Sequence, residues 1–165
     1  MIATAILTIS DSVMRGTRED RSGVELGERV RALGWTVHSQ AVVADEVDQI
    51  TAKLTEIADS GRVSLILTTG GTGVALRDVT PEATRMVIDR EIPGIGETMR
   101  SEGRKATRFA VLSRGLAGTR GSVLIVNLPG SPKGAVESLS AIADLIPHMA
   151  DLLHGKTEHA DGLRN

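Results

Sequence analysis

The chain has 165 residues, 41% of them apolar and 24% charged, which is the make-up of an ordinary globular protein with room for one domain and a sizeable core. Nineteen basic against 21 acidic residues give a net charge of −2, and Trp35 and Phe109 are the only aromatic residues, so neither a broad basic field nor a stacking platform for nucleic acid is available. Cysteine is absent, which excludes disulfides, thiolate metal sites and a Cys nucleophile, and the lack of a long apolar run or a leader-like N-terminus points to a cytoplasmic protein without a membrane span.

Residues 3–9 (ATAILTI) read as a buried strand, followed by a helix over 23–33 with Leu26, Val30 and Leu33 on one face. Residues 35–43 mix polar and apolar positions as an edge strand does, and 46–60 place Val47, Ile50, Leu54 and Ile57 at helical spacing. The short β-branched run 63–69 (VSLILTT) suits a central parallel strand. Thr80 and Pro81 mark a helix start, with Thr as N-cap and Pro at the first helical position, and 93–105 forms a further short helix between glycines. Residues 109–112 and 123–128 read as strands joined by a Gly-rich hairpin (GLAGTRG). The last helix opens at Ser131-Pro132 and carries Val136, Leu139, Ile142, Ile146 and Met149 on one face, with a kink or break expected at Pro147. Residues 157–165 read as a solvated tail behind a single domain over 1–156. Strands alternating with helices predict an α/β fold, a mostly parallel central sheet with helices on both faces. Ligands bind such sheets beyond the carboxyl ends of the strands.

Two strand-end loops have the composition of phosphate sites. After the third strand come Gly70, Gly71, Thr72 and Gly73, where glycine lets the backbone approach a ligand and successive amides can form an anion nest. A tight strand-to-helix turn wants glycine too, although three of them around a Thr hydroxyl exceed what a turn requires. The loop has neither the third glycine of the dinucleotide fingerprint nor the Gly-Lys-Ser/Thr of a P-loop. At the end of the fifth predicted strand and just beyond it come Asn127, Pro129, Gly130 and Ser131, and the loop after the first strand holds Ser10 and Asp11. Asp45 and Asp78 lie on the same strand-end side. Each suits a helix-start acid, and beside phosphates each also suits a bridging Mg²⁺. His38, His148, His154 and His159 lie away from these loops, so a Ser-His-Asp hydrolase is disfavoured. A nicotinamide oxidoreductase would need a Gly fingerprint after the first strand, and ISDSVMRGTRED has none.

The segments LTTGGTG, RDVTPEAT, PGIGETMR, LSRGLAG and NLPGSPKG, in this order and spacing, resemble the MoaB/Mog family of molybdenum-cofactor biosynthesis, and most of all its molybdopterin adenylyltransferases. The resemblance runs from ISDS to the final helix. It implies a three-layer α/β/α sandwich and Mg²⁺-dependent transfer of AMP from ATP to the terminal phosphate of molybdopterin, with pyrophosphate released. It assigns metal-assisted catalysis to Asp45 and Asp78 and the nucleotide phosphates to the loop of Gly70, Gly71, Thr72 and Gly73. Ser113, Asn127, Pro129, Gly130 and Ser131, with Ser10 and Asp11, fall to the molybdopterin side. It also implies a homotrimer or a dimer of trimers, with other proteins of the pathway as further partners. Ile95, Met99 and Leu116, on segments outside the predicted sheet, are apolar residues that a neighbouring subunit would bury, with packing on the chain's own core as the alternative. Ala44 stands where the family often has Pro before the first acid, and 74–76 is a variable stretch. Retention of both acids favours an enzyme over a molybdopterin-binding protein without chemistry.

Overall fold

The computed structural model describes residues 1–156; the predicted tail and His159 lie outside the described residues. Six strands form one sheet in the order β2-β1-β3-β6-β5-β4: β1 Ala3–Ile9, β2 Thr36–Val43, β3 Leu65–Thr69, β4 Arg90–Glu91, β5 Ala117–Arg120 and β6 Val123–Leu128. The pairs β2·β1, β1·β3 and β3·β6 are parallel, while β5 returns antiparallel along β6 and β4 along β5. Seven α-helices are described: α1 Asp11–Met14, α2 Arg21–Ala32, α3 Val47–Asp59, α4 Thr80–Val87, α5 Pro93–Gly103, α6 Pro132–Ser140 and α7 Ile146–Leu153.

The two-residue period of the strands divides the core. Ile6, Leu65, Leu67, Leu124 and Val126 point to the side packed by α2, α5, α6 and α7 through Leu26, Val30, Met99, Leu139 and Ile146. Ala5, Leu7, Ile66 and Ile125 point the other way, against Ile50 and Leu54 of α3 and Ala83 and Val87 of α4. Side chains such as Leu67 and Leu54 are fully buried, and truncating either to Ala is expected to cost about 2–5 kcal/mol. The three-layer α/β/α architecture is therefore as read from the alternation of elements. No helix among the described residues is long and apolar enough to cross a membrane.

Register sets the site. Thr8 of β1 lies opposite Thr69 of β3, and Thr69 opposite Leu128 of β6, so three parallel strands end level and release their loops side by side. The Asp20 carboxylate caps α2 by accepting from the Gly23 amide at 2.9 Å, and it accepts from the Thr8 hydroxyl at 2.7 Å, tying that helix start to the end of β1.

Four local readings change. Residues 109–112 belong to a 3₁₀ helix, Arg108–Leu112, and not to a strand; Phe109, Val111 and Leu112 are exposed there. Thr80 is the first residue of α4 and not its cap, which is Val79; the Thr80 hydroxyl is buried and donates to the Gly70 carbonyl at 2.9 Å. The final pattern is two helices. The break precedes Pro147, which sits in the first turn of α7, where a missing amide costs nothing. Ile95, Met99 and Leu116 are buried within the chain itself, so they are not free for a subunit contact.

Candidate active site

The loop after β3 has no regular secondary structure from Gly71 to Val79, and its glycines are there for space. Gly70 has φ +103° and a Cβ on it would stand 2.2 Å from the Ile9 carbonyl oxygen; Gly71 has φ +64° and its Cβ would meet the Thr80 hydroxyl at 2.3 Å. The Thr80 amide donates to the Gly71 carbonyl at 3.1 Å, so Thr80 closes the loop with backbone and side chain together. The amides of Gly71, Thr72 and Gly73 donate to no group among the described residues. Three neighbouring unpaired donors suit an anionic ligand.

Two carboxylates border this loop. Asp45 Oδ1 is 3.2 Å from the point a Cβ on Gly71 would occupy, and Asp78 Oδ2 is 2.7 Å from the corresponding point at Gly73. Asp45 is fixed by reciprocal bonds to the loop after β1: its carboxylate accepts from the Asp11 amide at 2.9 Å, and its own amide donates to the Asp11 carboxylate at 3.0 Å. The Asp78 carboxylate accepts from the Ala75 amide at 2.9 Å, which curls the loop back on itself. Burial pushes the Asp45 carboxyl above the ordinary range, the charges of Asp11 and Asp78 add to this, and the Asp11 amide and Arg77 oppose it. Arg77 donates to both Asp11 oxygens at 2.6 and 3.1 Å, to the Asp45 carbonyl at 3.2 Å and to Glu46 at 2.8 Å. That guanidinium holds the Asp11 carboxyl below the usual range.

Two concavities lie at this end of the sheet. One, of about 210 Å³, is lined by Met99, Arg100, Phe109, Ser113, Asn127 and Pro129, among others; the second, of about 270 Å³, by Thr8, Ser10, Arg18, Gly70, Gly130 and Pro132. Ser131 borders both and caps α6, its hydroxyl accepting from the Gly134 amide at 3.2 Å. A Cβ on Gly130 would stand 3.2 Å from Gly70 Cα, so the two Gly loops touch backbone to backbone. The parts converge on a surface fit for two ligands, at least one of them anionic, with a pair of acids at the anion-binding loop.

A family model described as a probable molybdopterin binding domain matches residues 5–148. The chain belongs to this family. It is 42% identical over 156 residues to a molybdopterin adenylyltransferase of Helicobacter pylori strain J99, covering 93% of this chain and 89% of that protein. It is 40% identical over 141 residues to the molybdopterin adenylyltransferase of Escherichia coli K12, covering 84% and 72%. Among solved structures, the molybdopterin biosynthesis enzyme MoaB of Thermus thermophilus superposes with a TM-score of 0.89 at 48% identity, covering 94% of this chain and 98% of that one.

Within the fold of this family the residues singled out from sequence fall into three groups. Gly71, Thr72, Gly73, Asp45 and Asp78 are together at the β3 loop. Ser113, Asn127, Pro129 and Ser131 share the 210 Å³ concavity, and Ser10, Gly70, Gly130 and again Ser131 the other. Asp11 joins Asp45 and Arg77 and lines neither concavity. The Asn127 side chain is buried and engaged: its amide donates to Thr84 at 2.9 Å and Thr68 at 3.1 Å, and its oxygen accepts from the Leu116 amide. Arg77 and Arg114 are the site residues that sequence reasoning passed over. The surplus of arginine over lysine, 15 against 4, was the available signal, but nothing in it selects these two.

Proposed function

We propose that the chain is a molybdopterin adenylyltransferase of molybdenum-cofactor biosynthesis, moving AMP from ATP to the terminal phosphate of molybdopterin. The observation that carries this reading is the pair of carboxylates, Asp45 and Asp78, on the rim of a Gly loop with three amides unpaired among the described residues. The relatives named for this activity at about 40% identity support it.

In the reaction a terminal phosphate oxygen of molybdopterin bonds to the α-phosphorus of ATP, and the bond from that phosphorus to the α–β bridging oxygen breaks. Pyrophosphate departs with the electron pair. The nucleophile is already an anion at neutral pH, so no side chain need take a proton from it, and the work is positioning and charge neutralisation. The Gly71, Thr72 and Gly73 amides orient the nucleotide phosphates, and the contact of Gly70 with Gly130 brings the second substrate's loop within reach.

The acids fit a magnesium site of the kind completed by substrate. No cluster of three or more acidic or His ligands occurs among the described residues, while two carboxylates facing one phosphate loop suit Mg²⁺, which binds through one or two carboxylates plus substrate phosphates. Asp45 and Asp78 would hold the ion, which would supply positive charge to offset that of the phosphates. The 210 Å³ concavity, with Met99, Phe109 and Pro129 in its wall, supplies the apolar surface a flat pterin ring needs. A homotrimer completes the proposal; exposed Val111 and Leu112 on the 3₁₀ helix are apolar residues that a subunit contact would cover.

The test is incubation of pure protein with ATP, MgCl₂ and molybdopterin, followed by chromatography of the pterin. Adenylylated molybdopterin and an equal amount of pyrophosphate are expected. Bound but unconverted molybdopterin would make the chain a binding protein instead.

A further inference from the structure

The stretch from Gly73 to Asp78 carries one of the two acids yet has almost no hold on the core. Val74, Ala75, Leu76 and Arg77 are all exposed, so no buried apolar side chain anchors the stretch. Two arginines attach it instead: Arg77, within the stretch, donates to Asp11, Asp45 and Glu46, and Arg114, remote in sequence, holds its two ends. The Arg114 amide donates to the Thr72 carbonyl at 2.8 Å. The Arg114 guanidinium donates through Nε to the Gly73 carbonyl at 2.7 Å and through Nη2 to the Asp78 carbonyl at 2.6 Å. Glu82, on the first turn of α4, holds the outer edge of the same guanidinium. Arg114 thus bridges both ends of the loop segment that Asp78 terminates, and it binds carbonyls, so it engages neither the Asp78 carboxylate nor the amides of Gly71, Thr72 and Gly73.

Arg114 is itself held. Its neighbours Ser113 and Gly115 offer their carbonyls to Arg100 of α5 at 3.4 and 3.0 Å, and Arg100, Ser113 and Gly115 all border the 210 Å³ concavity. One short segment, 113–115, therefore faces the concavity with two residues and the phosphate loop with the residue between them.

We propose that Arg114 is a positioning residue for the transfer step, setting Asp78 and the Thr72–Gly73 backbone against the nucleotide phosphates. The role needs a fork. One point charge cannot donate to the carbonyls of Gly73 and Asp78 in two directions while facing Glu82, so lysine is a poor substitute. This rests on the adenylyltransferase reading, and the experiment separates the two.

The variants are Arg114→Ala, Arg114→Lys and Glu82→Gln, each measured for thermal stability, kcat, KM for ATP and for molybdopterin, and the Mg²⁺ concentration giving half-maximal rate. Binding of ATP with Mg²⁺ is measured by calorimetry in parallel. Arg114→Ala and Arg114→Lys are expected to lose at least 10-fold in kcat and to need at least 10-fold more Mg²⁺, with KM for molybdopterin within threefold of wild type. Glu82→Gln, which keeps the fork but loosens its outer edge, is expected to fall between. Wild-type kcat and Mg²⁺ requirement in Arg114→Ala, or full rescue by Lys, would overturn the proposal. If Arg114→Ala does not fold, Arg114→Lys and Glu82→Gln decide by the same criteria. If wild-type protein binds ATP but transfers nothing, the adenylyltransferase reading fails. The positioning role then stands or falls on whether Arg114→Lys weakens Mg²⁺-dependent ATP binding at least 10-fold.

Discussion

Asp45 is held where a carboxylate is uncomfortable. Burial raises its proton affinity first, and the nearby charges of Asp11 and Asp78 raise it further. A carboxyl whose folded value lies above its unfolded value is favoured by folding in the protonated form. Its cost to stability is therefore absent below the unfolded value near 3.8 and grows as pH rises through the folded one. Asp45→Asn keeps an oxygen to accept from the Asp11 amide and removes the charge. Without added Mg²⁺ it is expected to melt higher than wild type at pH 7. The gap should close as pH falls toward 4. A gap that widens on acidification, followed by calorimetric melting across that range, would mean that Asp45 stabilises the fold as an ion. Substitution that stabilises while abolishing transfer is what a residue kept for chemistry does.

At the scale of elements, the strands and long helices were legible because their burial is periodic: Leu26 and Val30 on α2, Ile50 and Leu54 on α3, and the apolar runs of β1, β3 and β6. Phe109–Ala110–Val111–Leu112 misleads because a short apolar run reads the same in a strand as in a tight helical turn, and only exposure separates them. The real fifth strand, Ala117–Arg120, hides behind Gly118, where a Cβ would meet Ile88 at 2.6 Å and the Arg90 carbonyl at 2.7 Å, so glycine marks close packing there and not a turn. Of the site, the Gly loops and both acids were legible, since strand ends and glycine are local signals. Arg114 was not, because its partners are 32–41 residues away in sequence. Two glycines test the loop geometry. Gly70→Ala combines a left-handed φ with a clash against main chain at Ile9 and is expected to lower stability by about 2 kcal/mol or more. Gly94→Ala on α5, where a Cβ meets open space, is expected to be neutral or to stabilise by about 0.5–1 kcal/mol. Urea denaturation of the pair gives both values, and equal effects would contradict the close approach of β1 and the Gly loop.

For the whole molecule, the sheet brings together what the chain separates. Level ends of β1, β3 and β6 set the Asp11, Gly70 and Gly130 loops side by side, and the parallel edge adds the Asp45 loop from β2. The antiparallel return of β5 carries segment 113–115 back to the same rim. Assembly is the property of the whole that the folded chain leaves to experiment. Because Ile95, Met99 and Leu116 are internal, a trimer would form through exposed residues such as Val111 and Leu112. Light scattering at micromolar concentration is expected to give about three times 17.4 kDa, or six times for stacked trimers, and Val111→Glu is expected to shift it toward the monomer. A monomeric wild type would refute this.

The most direct test of the central claim, that the acids at the Gly loop carry out the transfer, is single-turnover AMP transfer by Asp78→Asn with both substrates bound. The amide can keep the bond from the Ala75 amide, so loop shape is preserved and the charge is removed. The expected result is intact binding of ATP and molybdopterin with transfer slowed by about 10²-fold or more, some 2.7 kcal/mol of transition-state stabilisation. Transfer at the wild-type rate would contradict it and leave Asp78 as an acid that only shapes the loop.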